Sequence, residues 1–263
     1  MEVLNVNNLS KVYRGKVPYK ALNNISFSIE DGEFVGIMGP SGSGKTTLLN
    51  MISTADKPTS GEITINGKNP SKLNGDELAL FRRRELGFVF QDFNLIDTLT
   101  LGENIILPLT LDGVDDKIQI NELKRIADIL GIEKIINKRT FEVSGGQSQR
   151  AAIARAVIHK PKLLLADEPT GNLDSKAAED VMELFQKINE EEKVTTVMVT
   201  HDPVSASYCK RILFIKDGQI YNEIYKDGTN RDFYEDIIDV LAMIGGRKLW
   251  IWWSFLIGMF LEI

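Results

Sequence analysis

Gly39-Pro40-Ser41-Gly42-Ser43-Gly44-Lys45-Thr46 is the stretch on which the reading of this chain turns. It follows Phe34 to Met38, a run apolar enough for a strand buried on both faces, and passes through Thr47 into a helical stretch reaching Ile52. G-x-x-x-x-G-K-[ST] at a strand-to-helix junction is a phosphate cradle. Its glycines let successive backbone N–H groups turn inward, and the helix N-terminus adds its positive end. Lys45 reaches the β- and γ-phosphates of a nucleotide as a point charge, and the Thr46 hydroxyl is placed to ligate Mg²⁺.

A second acidic element narrows the chemistry. Leu163-Leu164-Leu165-Ala166-Asp167-Glu168 is an apolar strand ending in two carboxylates, so Asp167 is read as a Mg²⁺ ligand through water and Glu168 as a general base. Neighbouring side chains leave a strand in different directions, which lets the pair divide the two tasks. Guanine specificity needs an Asn-Lys-x-Asp base reader, and Asn137-Lys138-Arg139-Thr140 lacks the aspartate.

Around these elements, 263 residues with 43% apolar and 26% charged content describe one or two globular units. The net charge of −6 argues against nucleic acid, whose binding needs a basic face. A lone Cys209 suits a reducing compartment, and the N-terminal residues lack an apolar stretch of signal-peptide length. The expectation is a chain that works in the cytosol. Ile25, Phe27 and Ile29 alternate as in a strand, Ile63 to Ile65 form another, and Asp217-Gly218 joins a late hairpin. From about Asn94 to Lys160 the apolar spacing turns helical, as in Ile118, Leu123, Ile126 and Ile129. Strands resume after Pro161, with Val194 to Val199 following an amphipathic segment, a parallel strand-helix-strand unit. His159, at a helix end before Lys160-Pro161, reads as a capping or solvated residue.

Val143-Ser144-Gly145-Gly146-Gln147 stands just before the helical run Gln149 to Ile158 and ahead of Asp167-Glu168. Alone, a Ser-Gly-Gly turn is equally a helix cap. Combined with the phosphate loop it resembles the signature of an ATP-binding cassette (ABC) ATPase, and the resemblance spans residues 2–246. It implies an α/β fold of the P-loop NTPase type, a mixed β core (2–91 and 161–246) with an inserted α-helical subdomain (92–160). An apolar tail, 247–263, follows.

The resemblance also implies roles. Gln91 senses Mg²⁺ and water, His201 is the switch histidine that orients Glu168, and adenine stacks on Tyr13, which otherwise reads as a surface strand residue. ATP is held by Tyr13, by Gly39, Pro40, Ser41, Gly42, Ser43, Gly44, Lys45, Thr46 and Thr47, and by Ser144, Gly145, Gly146, Gln147 and Asp174 from a second copy. Thr46, Gln91 and Asp167 form the Mg²⁺ set, and Lys45, Gln91, Glu168 and His201 the catalytic set. The implied partners are a second copy in a head-to-tail dimer, a separate multi-span permease and, through that permease, a membrane sensor kinase. The implied place is the cytoplasmic face of the membrane.

Asp56-Lys57-Pro58-Thr59-Ser60-Gly61-Glu62 and Gln91 to Leu95 are similar to the lipoprotein-release, macrolide-export and cell-division group. Ile52 to Asp56, Ala206 to Cys209 and Phe214 to Gly218 look most like bacitracin-type peptide-antibiotic transporters. The alternative is a cell-division or signalling ATPase that transmits force without transport. Ser148 and Ala55 depart from the usual glutamine and isoleucine, and neither removes a phosphate ligand. The tail run Leu249 to Leu261, as a helix of about 20 Å, is short of a ~30 Å hydrocarbon core, so a packed or interfacial helix or a permease-docking segment is favoured over a membrane span.

Overall fold

Strand burial separates two sheets. The computed structural model describes residues 1–245, in the order β1 (Glu2–Tyr13), β2 (Tyr19–Glu30), β3 (Phe34–Met38), α1 (Lys45–Ile52), β4 (Ser60–Ile65), α2 (Gly75–Glu85), β5 (Leu86–Val89), α3 (Leu101–Leu111), α4 (Asp116–Leu130), α5 (Gly145–Val157), β6 (Leu163–Asp167), α6 (Ser175–Glu191), β7 (Thr195–Val199), α7 (Pro203–Ala206), β8 (Arg211–Lys216), β9 (Gln219–Tyr225) and α8 (Asn230–Ile244). Gly246 and the tail reading for 247–263 lie outside the described residues.

β3 and β7 are buried at every position and β6 at all but its last, as fits strands covered on both faces. They sit in a six-stranded sheet of order β5-β6-β7-β3-β8-β9, parallel except for β9. β2, β1 and β4 form a separate antiparallel sheet. Side chains of alternating parity fill two cores. Val35, Ile37, Leu163 and Leu165 face the small sheet and α1, with Leu4, Ile29, Leu48 and Ile63. Phe34, Met38, Leu164 and Ala166 face the helices, with Ile105, Leu130, Ile153 and Phe185. Helices α3, α4 and α5 enter between β5 and β6, so the α/β core with a helical insertion is the observed architecture.

Several elements differ from the sequence reading. β1 and β2 each run for 12 residues, well beyond the Ile25 to Ile29 alternation, with left-handed Asn8 (φ 48) and Asn24 (φ 56) beside register shifts in their ladder. α2 falls between the Ile63 to Ile65 strand and the helical spacing from about Asn94, where the sequence reading places no helix; it buries only Phe81, so no apolar period marks it, although an Asn74–Glu77 capping box does. α1 starts at Lys45 and α5 at Gly145, each earlier than the apolar pattern suggests.

His159 also needs correction. It lies past the end of α5 with Nε2 3.0 Å from the Leu86 carbonyl, and Nδ1 is buried without a partner, so it is neither a cap nor solvated. Burial pulls its pKa below the ordinary 6.5, with the Leu86 carbonyl and Asp112 acting the other way. The folded protein therefore keeps the ring neutral where the unfolded chain takes up a proton, and stability falls as pH drops through the unfolded value. Urea unfolding at pH 5.5 and 7.5 should show a smaller acid loss for His159→Gln than for the unaltered protein; equal losses would contradict this origin.

Candidate nucleotide site

The register of the parallel strands builds the site. Ile37 of β3 stands beside Val199 of β7, and Val199 beside Asp167 of β6, so the three strands end abreast. Beyond those ends the chain continues as Gly39, Thr200-His201 and Glu168. The Glu168 N–H donates to the Val199 carbonyl at 2.9 Å and the Thr200 N–H to the Ile37 carbonyl at 3.2 Å, fixing the turns.

The phosphate loop packs where side chains cannot. A Cβ on Gly39 (φ 153) would come 2.0 Å from the Ile215 carbonyl oxygen, and one on Gly44 (φ 108) 2.6 Å from that of Ala21. The Gly218 N–H donates to the Ser43 carbonyl at 3.0 Å, which pins the loop to the β8–β9 turn. Of the eight described α-helices, α1 alone has no side-chain cap, which leaves its first N–H groups to an outside acceptor. Ser43 Oγ is buried without a hydrogen-bond partner at the same place.

Lys45, buried on the first turn of α1, donates to the carbonyls of Gly39 at 2.8 Å and Pro40 at 3.0 Å. Burial lowers its pKa, while Glu168 and then Asp167 act to raise it. Burial, followed by the charge of Glu168, pushes Asp167 up, against Lys45. The centre thus holds one cation and two carboxylates short of solvent.

Glu168 takes a left-handed φ of 45, and its Oε2 lies 2.8 Å from Nδ1 of His201. Asp202 steadies the segment after the histidine by accepting from the Val204 and Ser205 N–H groups. Gly39, Pro40, Ser41, Lys45, Glu168 and His201 line one cavity of about 560 Å³, closed on another side by Leu241, Ile244 and Gly245 at the end of α8.

The other expected residues stand elsewhere. Gln91, past the end of β5, donates through Nε2 to Asn172 Oδ1 at 3.3 Å, and Asn172 donates back to the Gln91 carbonyl and to Asp92, so this glutamine is tied to the loop after Glu168. Ser144 caps α5 in a reciprocal box with Gln147, and with Gly146 it lines a separate cavity of about 320 Å³ beside Gly131, Arg150, Ala177 and Asp180. That cavity shares no lining residue with the one at Lys45. Asp174 caps α6 through the Ala177 N–H. Tyr13 ends β1 opposite Tyr19, whose hydroxyl donates to the Gly42 carbonyl at 3.2 Å.

Two residues the sequence reading passed over connect these parts. Gln149, buried on α5, donates to the Pro169 carbonyl at 2.6 Å, next to Glu168. Arg155 donates to the carbonyls of Asn94 at 2.6 Å and Phe93 at 2.9 Å, both left-handed residues shortly after Gln91. No local signal in the sequence marks Arg155, since Arg150 on the same helix likewise has no acidic residue three or four positions away.

The sequence pattern of the ABC transporter family matches residues 22–171, across the phosphate loop, the Ser144 segment and the acidic pair. The chain belongs to this family. It is 65% identical over 245 residues to the ABC transporter ATP-binding protein YxdL of Bacillus subtilis, covering 93% of this chain and 95% of that one. It is 49% identical over 248 residues to the bacitracin export ATP-binding protein BceA of Halalkalibacterium halodurans, covering 94% and 98%. Among solved structures, the dimeric post-hydrolysis cassette MJ0796 bound to ADP and Pi, from Methanocaldococcus jannaschii, superposes with a TM-score of 0.77 at 43% identity, covering 86% of this chain and 99% of that one. The chain is an ABC ATPase, the ATP-binding subunit of a transporter.

Because a hydrogen bond to a charged group contributes about 1.5–3 kcal/mol, Lys45→Met should weaken ATP binding by about tenfold or more in equilibrium titration. Unchanged affinity would remove Lys45 from the phosphate contacts.

Proposed function

We propose that this chain powers a peptide-antibiotic transporter of the bacitracin type, working as a head-to-tail dimer bound to a separate membrane permease. The observation that carries the dimer is the division of the nucleotide-binding elements between two cavities with no residue in common. One chain offers the phosphate loop with Glu168 and His201; the Ser144 turn at the start of α5 offers a second set of N–H groups to a phosphate held by another copy. The dimeric state of the MJ0796 cassette supports this reading, and the name of the BceA relative supports the antibiotic class. Among the described residues no helix is long and apolar enough to cross a membrane.

The site's donors suit Mg²⁺. Thr46 and Asp167 would supply a hydroxyl and a carboxylate, both hard ligands, whereas the side chain of Gln91, the third expected ligand, is engaged by Asn172 outside the cavity at Lys45. Asp167 is a carboxylate that burial and Glu168 both disfavour as an anion, an environment a cation would relieve. Among the described residues no group of three or more His, Cys, Asp and Glu is placed to hold a metal ion, so phosphate oxygens would complete the shell. Bound there, the ion would neutralise charge on the phosphates.

Hydrolysis follows from the chain's own groups. Glu168 removes a proton from water, the water oxygen bonds to the γ-phosphorus, and the bond to the bridging oxygen breaks to release ADP. His201, through its 2.8 Å contact, keeps the Glu168 carboxylate turned toward that water, and Lys45 balances charge on the phosphates.

A positioned general base contributes about 10²–10⁴ in rate, so Glu168→Gln should lower phosphate release at least about 100-fold and accumulate an ATP-bound dimer. Ordinary phosphate release in that variant would take the base role from Glu168. With its permease in vesicles, the unaltered protein should hydrolyse ATP faster on addition of bacitracin; no response would assign the cargo to another class.

A further inference from the structure

Tyr13 is held by more contacts than a strand end requires. The residue is 39% exposed, and Nζ of Lys11 lies 4.9 Å from the centroid of its ring. The same ammonium donates to Asp56 Oδ1 and to the Lys57 carbonyl, each at 2.7 Å, and the lysine side chain is only 12% exposed. The Tyr13 hydroxyl donates to the other carboxylate oxygen, Oδ2 of Asp56, at 3.2 Å. The Lys57 N–H donates to Oδ1 at 2.7 Å, which fixes the carboxylate against its own backbone. Hydrogen bonding from Lys11 holds the Asp56 carboxyl below the usual carboxylate range. One carboxylate therefore fixes the edge of the ring, and one cation occupies a face.

The placement relative to the phosphate loop is also set. Tyr13 stands opposite Tyr19 in the β1–β2 ladder, and the Tyr19 hydroxyl is bonded to the Gly42 carbonyl in the loop itself. Directly opposed residues of antiparallel strands lie about 5 Å apart, so the Tyr13 ring is one strand away from a loop contact. Lys11 and Asp56 reach this point from different parts of the chain, β1 and the segment after α1, and neither lines the cavity at Lys45.

We propose that Lys11 and Asp56 are positioning residues for the nucleotide base: together they lock the Tyr13 ring in one orientation, leaving its other face as a platform on which a purine stacks. This rests on the reading of Tyr13 as the adenine platform. An exposed tyrosine free to change rotamer would lose that freedom when a base binds, and a ring already fixed at its edge and one face loses little. The cation beneath the ring is attracted by the same π face that would otherwise be hydrated, so it holds the ring without covering the stacking side. Tyr19, bonded to Gly42, keeps the platform at a constant distance from the phosphates.

Equilibrium binding of ATP and of inorganic tripolyphosphate, which has no base, to the full chain separates positioning from general stability. Tyr13→Ala should weaken ATP about tenfold, as expected for loss of one base–aromatic stack, and leave tripolyphosphate unchanged. Lys11→Met and Asp56→Ala should each weaken ATP about three- to tenfold with tripolyphosphate unchanged, whereas Lys11→Arg, which keeps the cation, should bind ATP nearly as the unaltered protein does. Adding Lys11→Met to Tyr13→Ala should cost nothing further, because the platform is already gone. Equal weakening of both ligands, or losses that add in the double variant, would overturn the proposal, as would undiminished ATP binding by Lys11→Met and Asp56→Ala when Tyr13→Ala weakens it. Undiminished ATP binding by Tyr13→Ala would instead remove the base platform itself. Should Lys11→Met fail to fold, Asp56→Ala and Lys11→Arg carry the comparison.

Discussion

Three parallel strands ending level with one another is the constraint from which the site follows. Ile37, Val199 and Asp167 are register neighbours across β3, β7 and β6, so the residues just beyond them emerge at one edge of the sheet. A one-residue slip in any strand would reverse the faces of its side chains, sending Val35 and Ile37 away from the small sheet and exposing one core. The two apolar cores thereby enforce the alignment that brings Gly39, Glu168 and His201 together. Burial then supplies the electrostatics, since Lys45 and Asp167 are perturbed first by desolvation and only then by each other and by Glu168.

Coupling between the parts is made of short polar links at the ends of elements. α5 starts at the Ser144 cap, bonds through Gln149 to the Pro169 carbonyl after the acidic pair, and bonds through Arg155 to the left-handed segment after Gln91. Asn172 ties Gln91 to the loop that leads into the Asp174 cap of α6. A displacement of α5 would therefore be felt at both the Gln91 segment and the Glu168 turn, a physical path by which a closed nucleotide site and the helical insertion respond to each other.

The sequence discloses those parts whose chemistry resides in the backbone pattern. The loop at Gly39 to Thr46 is legible because Gly39 and Gly44 occupy places where a Cβ would meet carbonyl oxygens, and β3 because its run from Phe34 to Met38 holds no polar side chain. What it hides has physical reasons. α2 buries one side chain and so has no apolar period, while Asn8 and Asn24 look like turn residues although they serve as bulges within long strands. The Gln91–Asn172 bond joins residues 81 positions apart, and no local pattern encodes it. His159 looks like a solvated residue from its polar neighbours, yet the start of β5 covers it. The hold of Lys11 and Asp56 on Tyr13 is of the same kind, since it spans more than forty residues of chain.

A site shared between two copies is the central claim, and it is tested most directly by inter-chain cross-linking. In the Glu168→Gln background, a chain carrying Ser41→Cys is mixed with one carrying Gly146→Cys. Ser41 lines the cavity at Lys45 and Gly146 the cavity at Ser144, and the native Cys209 is buried and does not compete. ATP should produce a disulfide-linked heterodimer that is absent without nucleotide. A mixture that stays unlinked in ATP, while each chain still binds the nucleotide, would contradict a site divided between two chains.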